Sequence, residues 1–342
     1  MSESGLFHHL IAEEYSRERL AKIEEILECH RIHEILPIAR GLFTASPSQA
    51  PDSLTGYQNV WIRDDVMVAN SFRLRGQLAP AIACMKGLTL PLETQRPRFH
   101  DIIADVTRAL KEDANRRPQI RFTAQSLGEL PEKWPHAQND ALGHALWFRF
   151  LLANEGSLPL TAEDYEVFHL FPDYFEAIEF WRDEDSGAWE EGRKVNNSSV
   201  GAVVAGLEEM RRYFSASAPA SAPGVVPISA SQMSSDFSDR VDFRDAFLQP
   251  NCEAQWCIFD PLLSIIYGQR FLADPTDKGS LARQVHYFNR SLAQITPDGK
   301  RPELCFLKQG RYVPNAHTPL AWTQANQALA LRLVKKSVEV SR

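Results

Sequence analysis

Apolar residues recur along this chain mostly every three or four positions, the spacing that lines one face of a helix. In the first long segment, Leu10 to Leu36, the residues Leu20, Ile23, Leu27 and Ile35 keep close to it, with Glu and Arg between them. Further helices are expected at about 64–76, 80–88, 99–114, 140–153, 163–182, 197–214, 255–270, 279–294 and 319–336. Alternating strand patterns are scarce. Leu304-Cys305-Phe306, ahead of Lys308-Gln309-Gly310-Arg311-Tyr312, reads as a small hairpin. About ten helices joined by polar, Pro-containing connections predict an all-α fold.

One stretch departs from this pattern. From Phe214 to Arg240, Ser, Ala and Pro dominate, a composition that buries too little apolar surface to offset its ordering entropy. The segment 214–240 is expected to be a mobile surface insertion in a single domain spanning 1–342; a flap over a site is the other reading. No repeat of fixed period is visible.

Composition narrows the function classes. With 44% hydrophobic and 24% charged residues, the 342-residue chain is ordinary globular material. A net charge of −7 argues against a nucleic-acid partner. No apolar run approaches the ~18 residues of a membrane span, and Met1-Ser2-Glu3-Ser4-Gly5 lacks the apolar core of a signal peptide. Five cysteines without a CxxC pair indicate neither a zinc site nor a disulfide framework. A cytoplasmic protein without metal or other cofactor is expected. The glycine motifs of nucleotide binding, the HExxH of zinc proteases and the GxSxG of serine hydrolases are all missing. His136 and His144, flanking one helix start, read as structural.

What remains is a set of loops rich in Trp, carboxylates and amides, each just ahead of a helical stretch. They are Trp61-Ile62-Arg63-Asp64-Asp65, Trp134-Pro135-His136-Ala137-Gln138-Asn139-Asp140, and Trp189-Glu190-Glu191-Gly192-Arg193 leading to Asn196-Asn197. Pro302-Glu303-Leu304 and Pro319-Leu320-Ala321-Trp322 complete the set. Aromatic faces that stack on a pyranose, with planar charged and amide groups to meet hydroxyls, bind sugars in this way. Singly, Asp64 or Asp140 could cap a helix, and Trp61, Trp189 or Trp322 could be core aromatics. Their recurrence at helix starts gives the sugar-binding reading its weight.

The order of WIRDD, WPHAQNDALG, WEEGRKVNNSSVGAVVAGLE, CEAQW, PEL and PLAWTQA, from about Tyr57 to Leu333, resembles the glucoamylase-type glycoside hydrolases. It is closest to the glucoamylase-like domain of phosphorylase kinase regulatory subunits and their small bacterial relatives. The resemblance implies an (α/α)6 toroid, a six-hairpin fold with the site where loops leading into the inner helices converge. It implies an oligosaccharide or glucan substrate, Glu190 as general acid and Glu303 as general base. Arg63 and Asp64 fall where such enzymes grip the 4- and 6-hydroxyls of the terminal sugar, and Tyr57 matches a tyrosine that helps hold the attacking water. Trp134 matches an aromatic lining the cleft and Glu191 a substrate-binding acid; Trp61, Gln138, Asp140, Trp189 and Trp322 join the substrate-binding set.

Two departures pull in opposite directions. Leu304 stands where true glucoamylases carry a water-holding amide, as in the kinase-subunit domains. Glu191 stands where those domains carry arginine, as in active glucoamylases. The first expectation is an exo-acting, inverting hydrolase of an α-glucosidic oligosaccharide. The second is a catalytically silent glucan-binding or regulatory module. Another enzyme of the same fold, acting on trehalose or a non-glucose sugar, is a third.

Overall fold

The computed structural model describes residues 6–47, 56–112, 116–130, 136–190, 192–215 and 254–341. The insertion expected at 214–240 lies outside these residues except for Phe214 and Ser215. Among the described residues are twelve α-helices: α1 Arg17–Cys29, α2 Ile62–Leu74, α3 Leu78–Thr94, α4 Arg96–Ala104, α5 Val106–Glu112 and α6 Asn139–Asn154, followed by α7 Ala162–Phe168, α8 Leu170–Ala177, α9 Asn197–Phe214, α10 Phe259–Ala273, α11 Lys278–Ala293 and α12 Ala321–Val340. Five short strands accompany them: β1 Val60–Trp61, β2 Arg121–Phe122, β3 Gln255–Trp256, β4 Leu304–Lys308 and β5 Arg311–Pro314. The chain is all-α, and the expected hairpin is present as β4 and β5, antiparallel with Cys305 opposite Pro314 and Lys308 opposite Arg311.

Local chemistry explains where the helices differ from expectation. α1 is shorter than the apolar pattern because the Ser16 side chain caps it, accepting from the Arg19 N–H. The segment expected as one helix over 99–114 breaks at Asp105, which turns extended and whose carboxylate accepts the Arg108 N–H, starting α5. The segment 163–182 divides at His169 into α7 and α8. Pro172, in the first turn of α8, has no N–H to continue the ladder of α7.

Burial sorts the helices into two layers. α12 is buried on nearly every side, from Ala321 through Val338, and α6 is nearly as enclosed. Helices apolar or small on all faces belong inside. α2 buries Ile62 to Val66 continuously at its start and packs between α12 and α6. α1 and α11 instead bury a single face, Leu20, Ile23 and Leu27 in one and Val285, Phe288 and Leu292 in the other, and cover the flank of α12. The first turns of α2 and α6 meet at one end of the inner layer, where Arg63 reaches Gln138 and Asp140. The Ala321 N–H at the start of α12 donates to the Ala45 carbonyl in the loop ahead of α2.

α6 and α9 cross glycine on glycine. A Cβ at Gly143 would stand 2.6 Å from the backbone of Ala202 and Val203, and one at Gly206 would stand 2.8 Å from the Gly143 carbonyl. Backbone cannot yield as a flexible side chain does. Gly143→Ala is therefore expected to lower stability by about 1–3 kcal/mol, although alanine is the better helix former. Urea unfolding checks this; an unchanged or higher midpoint would contradict the close crossing.

Candidate active site

Glu303 is held at the junction of the three-stranded sheet, just ahead of β4. Its carbonyl accepts the N–H groups of Cys257 (2.7 Å) and Ile258 (3.2 Å), which fixes its backbone against the start of α10. Its carboxylate Oε2 accepts the Tyr57 hydroxyl at 2.6 Å and the Asn315 amide at 3.4 Å. The Tyr57 ring stacks on His317, 4.2 Å between centroids and 8° from parallel. Burial, and then the negative charge of Glu303, push the Tyr57 phenol well above its ordinary pKa. Tyr57 therefore stays protonated and serves as a donor.

Glu190 follows Trp189 in a separate loop. Its backbone is left-handed, with φ of +54°, in a turn whose N–H donates to the Gly187 carbonyl. Non-glycine residues enter this region at a steric cost, and such strain gathers at functional sites. Its Oε1 accepts the Gln138 side-chain N–H at 3.0 Å. Gln138 in turn accepts from Arg63 Nη1 at 2.9 Å, and the same guanidinium nitrogen donates to Asp140 Oδ2 at 3.0 Å. A continuous polar chain thus runs from Asp140 through Arg63 and Gln138 to Glu190.

Arg63, Gln138 and Asp140 are all buried. Burial works against the Arg63 charge, but Asp140, Asp64 and Glu190 together raise its pKa above the ordinary value. Asp64 is buried beside them, and its carboxyl is pushed up to about 6 by desolvation, with Arg63 opposing and Asp140 adding to the rise. The Tyr57 phenol feels Glu303, Glu190 and Asp64 alike. Five of the expected site residues therefore share one electrostatic neighbourhood with Glu190 and Glu303.

An aromatic wall stands next to this group. Trp189 meets Trp256 and Phe259 edge-on, at 5.0 Å and 5.2 Å, and lies within 4° of parallel to Trp322 at 6.5 Å. Trp61 is placed differently: it is buried, its indole N–H donates to the Gly56 carbonyl, and the Arg121 guanidinium lies over its ring. These contacts brace the entry to α2. Trp134 and Glu191 lie outside the described residues. Burial pushes both His136 and His144 down to about 4, so each is neutral near pH 7. No group of three metal-ligating side chains occurs among the described residues.

Sequence reasoning missed Asn315, His317 and Phe259. Asn315 reaches Glu303 only because the hairpin turns back: its N–H donates to the Leu304 carbonyl. The nearest signal was the polar run Asn315-Ala316-His317-Thr318 between the hairpin and Pro319. Trp256 stood in the CEAQW run without being assigned a role.

Glu190 and Glu303, held by separate loops, are the acid pair that the chemistry of a glycoside hydrolase calls for. The chain belongs to the glycosyl hydrolases family 15, whose model matches residues 33–290. Similar solved structures include a wild-type glycosidase, 19% identical with a TM-score of 0.61, covering 94% of this chain and 99% of that one. A glycosidase variant in complex with glucose is 18% identical with a TM-score of 0.61, covering 96% and 100%. The glucoamylase of Saccharomycopsis fibuligera is 13% identical with a TM-score of 0.52, covering 98% of each chain. The fold is the all-α six-hairpin toroid. No curated protein sequence matches the chain, and no helix among the described residues is long and apolar enough to cross a membrane.

Asp64 has a measurable signature. Its carboxyl ionises near 6 in the fold against 3.8 in its ordinary state, so the folded protein binds the extra proton between those values. Its ionisation costs nothing below pH 4, costs more as pH rises, and reaches its full cost above pH 6. Asp64→Asn should raise stability at pH 8 by about 1–3 kcal/mol, with the gain vanishing toward pH 4. Denaturant titrations at the two pH values test this, and an equal effect at both would contradict the shift.

Proposed function

We propose that the protein is an exo-acting, inverting hydrolase of α-glucosidic oligosaccharides, with Glu190 as general acid and Glu303 as general base. The observation that carries this reading is the 2.6 Å hydrogen bond from Tyr57 to Glu303. It joins residues that the family resemblance assigns to the same water, from loops more than two hundred residues apart. A phenol that cannot ionise keeps the carboxylate as an acceptor, which is the state a general base needs. Asn315 supports water positioning as well, because it brings to Glu303 an amide that Leu304 cannot offer.

In this mechanism Glu190 protonates the glycosidic oxygen as the bond from the anomeric carbon to that oxygen breaks. A water on the opposite face of the sugar attacks the same carbon and gives its proton to Glu303. The two carboxyls are proposed to stand ~6.5–9.5 Å apart, with room for that water between them. Gln138 holds Glu190 and ties it to Arg63, so the acid is positioned by the residues that grip the sugar. Arg63 and Asp64 meet the 4- and 6-hydroxyls of the terminal residue, with Asp140 behind Arg63. A buried, charged floor suits a chain end, whose 4-hydroxyl is free, better than an internal residue. Trp189 and Trp322, parallel and 6.5 Å apart, are proposed to line the cleft. The four described cysteines are free thiols, which suits a reducing cytoplasm.

Release of monosaccharide from a panel of α-linked gluco-oligosaccharides tests the activity. Glu190→Gln and Glu303→Gln should each lower kcat at least about a hundredfold while sugar binding, followed by tryptophan fluorescence, is retained. Either variant within tenfold of the parent would remove that residue from its role.

A further inference from the structure

We infer that Cys257 and Cys305 form a peroxide-oxidisable dithiol, whose disulfide displaces the segment that carries Glu303. The two sulfurs are 3.9 Å apart. Neither lies in a CxxC motif; the sheet brings them together. β3 pairs with β4 so that Gln255 faces Cys305 and Trp256 faces Leu304. Cys257, the next residue, stands beside Glu303 and donates its N–H to that residue's carbonyl. Cys257 and Cys305 are thus diagonal neighbours on one face of the sheet, with Glu303 two residues before Cys305. The other described cysteines are placed elsewhere: Cys84 is buried against Asp65, and Cys29 is exposed on α1.

Access and charge divide the roles. Cys305 is half-buried and Cys257 is buried, so an oxidant meets Cys305 first. Arg301, four residues upstream of Cys305, is fully buried, and its Nε and Nη2 have no hydrogen-bond partner among the described residues. Its charge favours thiolate at both sulfurs. The hydrogen bond from Cys257, with Arg301 adding to it, lowers the pKa of Cys305, whereas Cys257 is pushed up. Cys305 is the attacking sulfur and Cys257 the resolving one.

The chemistry balances with hydrogen peroxide as oxidant. The Cys305 thiolate attacks one peroxide oxygen, the O–O bond breaks, and hydroxide leaves, giving a sulfenic acid. The Cys257 sulfur then attacks the Cys305 sulfur, the S–O bond breaks and the second hydroxide leaves. The two thiol protons convert both hydroxides to water, and the two electrons lost by sulfur reduce the peroxide.

Closing the bridge moves backbone. Diagonal cross-strand neighbours have Cα atoms about 7–8 Å apart, beyond the ~4.4–6.8 Å usual for a disulfide. The sulfurs must also close from 3.9 Å to about 2.05 Å. The strand that shifts follows directly on Glu303, whose carboxylate is held from outside the sheet by Tyr57. Oxidation therefore pulls the carboxylate against its Tyr57 hydrogen bond and slows hydrolysis. This effect on rate rests on the function proposed above; formation of the bridge does not.

Treating the full chain with hydrogen peroxide, alkylating the remaining thiols and mapping peptides by mass spectrometry reads the bridge directly. A Cys257–Cys305 link, reversed by dithiothreitol, is expected. Thiols at 257 and 305 that stay alkylatable, or a link from either to Cys252, would overturn the inference. Glucose release from maltotriose should fall at least about fivefold on oxidation and recover on reduction. Cys305→Ser should keep the basal rate and lose the peroxide response, and Cys257→Ala should lose the bridge. A bridge that leaves the rate unchanged would overturn the coupling to Glu303. An inactive reduced parent would instead count against the proposed hydrolysis, while the mass measurement still decides the bridge.

Discussion

The buried guanidinium of Arg63 is the constraint around which the site is arranged. A charge taken out of water must be met by acceptors of fixed geometry, or the fold loses several kcal/mol. Arg63 sits in the first turn of α2, and its acceptors, Gln138 and Asp140, sit at the start of α6. Satisfying this one group locks two inner helices end to end. The Gln138 amide, with its oxygen committed to Arg63, then offers its N–H to Glu190. The structural ion pair and the position of the candidate acid are one network, so neither can be altered alone.

At Glu303, backbone rather than charge does the holding. Glu303 directly precedes β4, and its carbonyl is engaged by two N–H groups from the approach to α10. Its carboxylate is met by Tyr57 and Asn315 from two further loops. Three other stretches of chain therefore converge on one residue. A toroid of helices allows this because every inner helix delivers its leading loop to the same end. The glycine-on-glycine crossing of α6 and α9 belongs to the same design, drawing the two helices together at backbone distance.

Much of this was legible in the sequence because its signals are local. α9 runs over 197–214 as its periodicity predicts, and the 304–312 hairpin is where alternation first appears. Helix starts marked by Arg63-Asp64 and Asn139-Asp140 could be read for the same reason. The divisions at Asp105 and His169 were hidden because a cap or a proline can break a helix without breaking its apolar period. Asn315 was hidden more deeply: only the register of β4 against β5 brings its amide to Glu303, and no spacing in the chain announces that. Trp61 reads like its neighbours in the motif, yet its indole is committed to Gly56 and its ring to Arg121.

The central claim is that Glu303, held by Tyr57, activates water on the face of the sugar opposite to Glu190. The stereochemistry of the first product reports this directly. Proton NMR of an α-linked gluco-oligosaccharide, recorded before mutarotation sets in, should show β-glucose appearing first. Initial release of α-glucose would mean retention of configuration, and would contradict the assignment of Glu303 as a base acting through water.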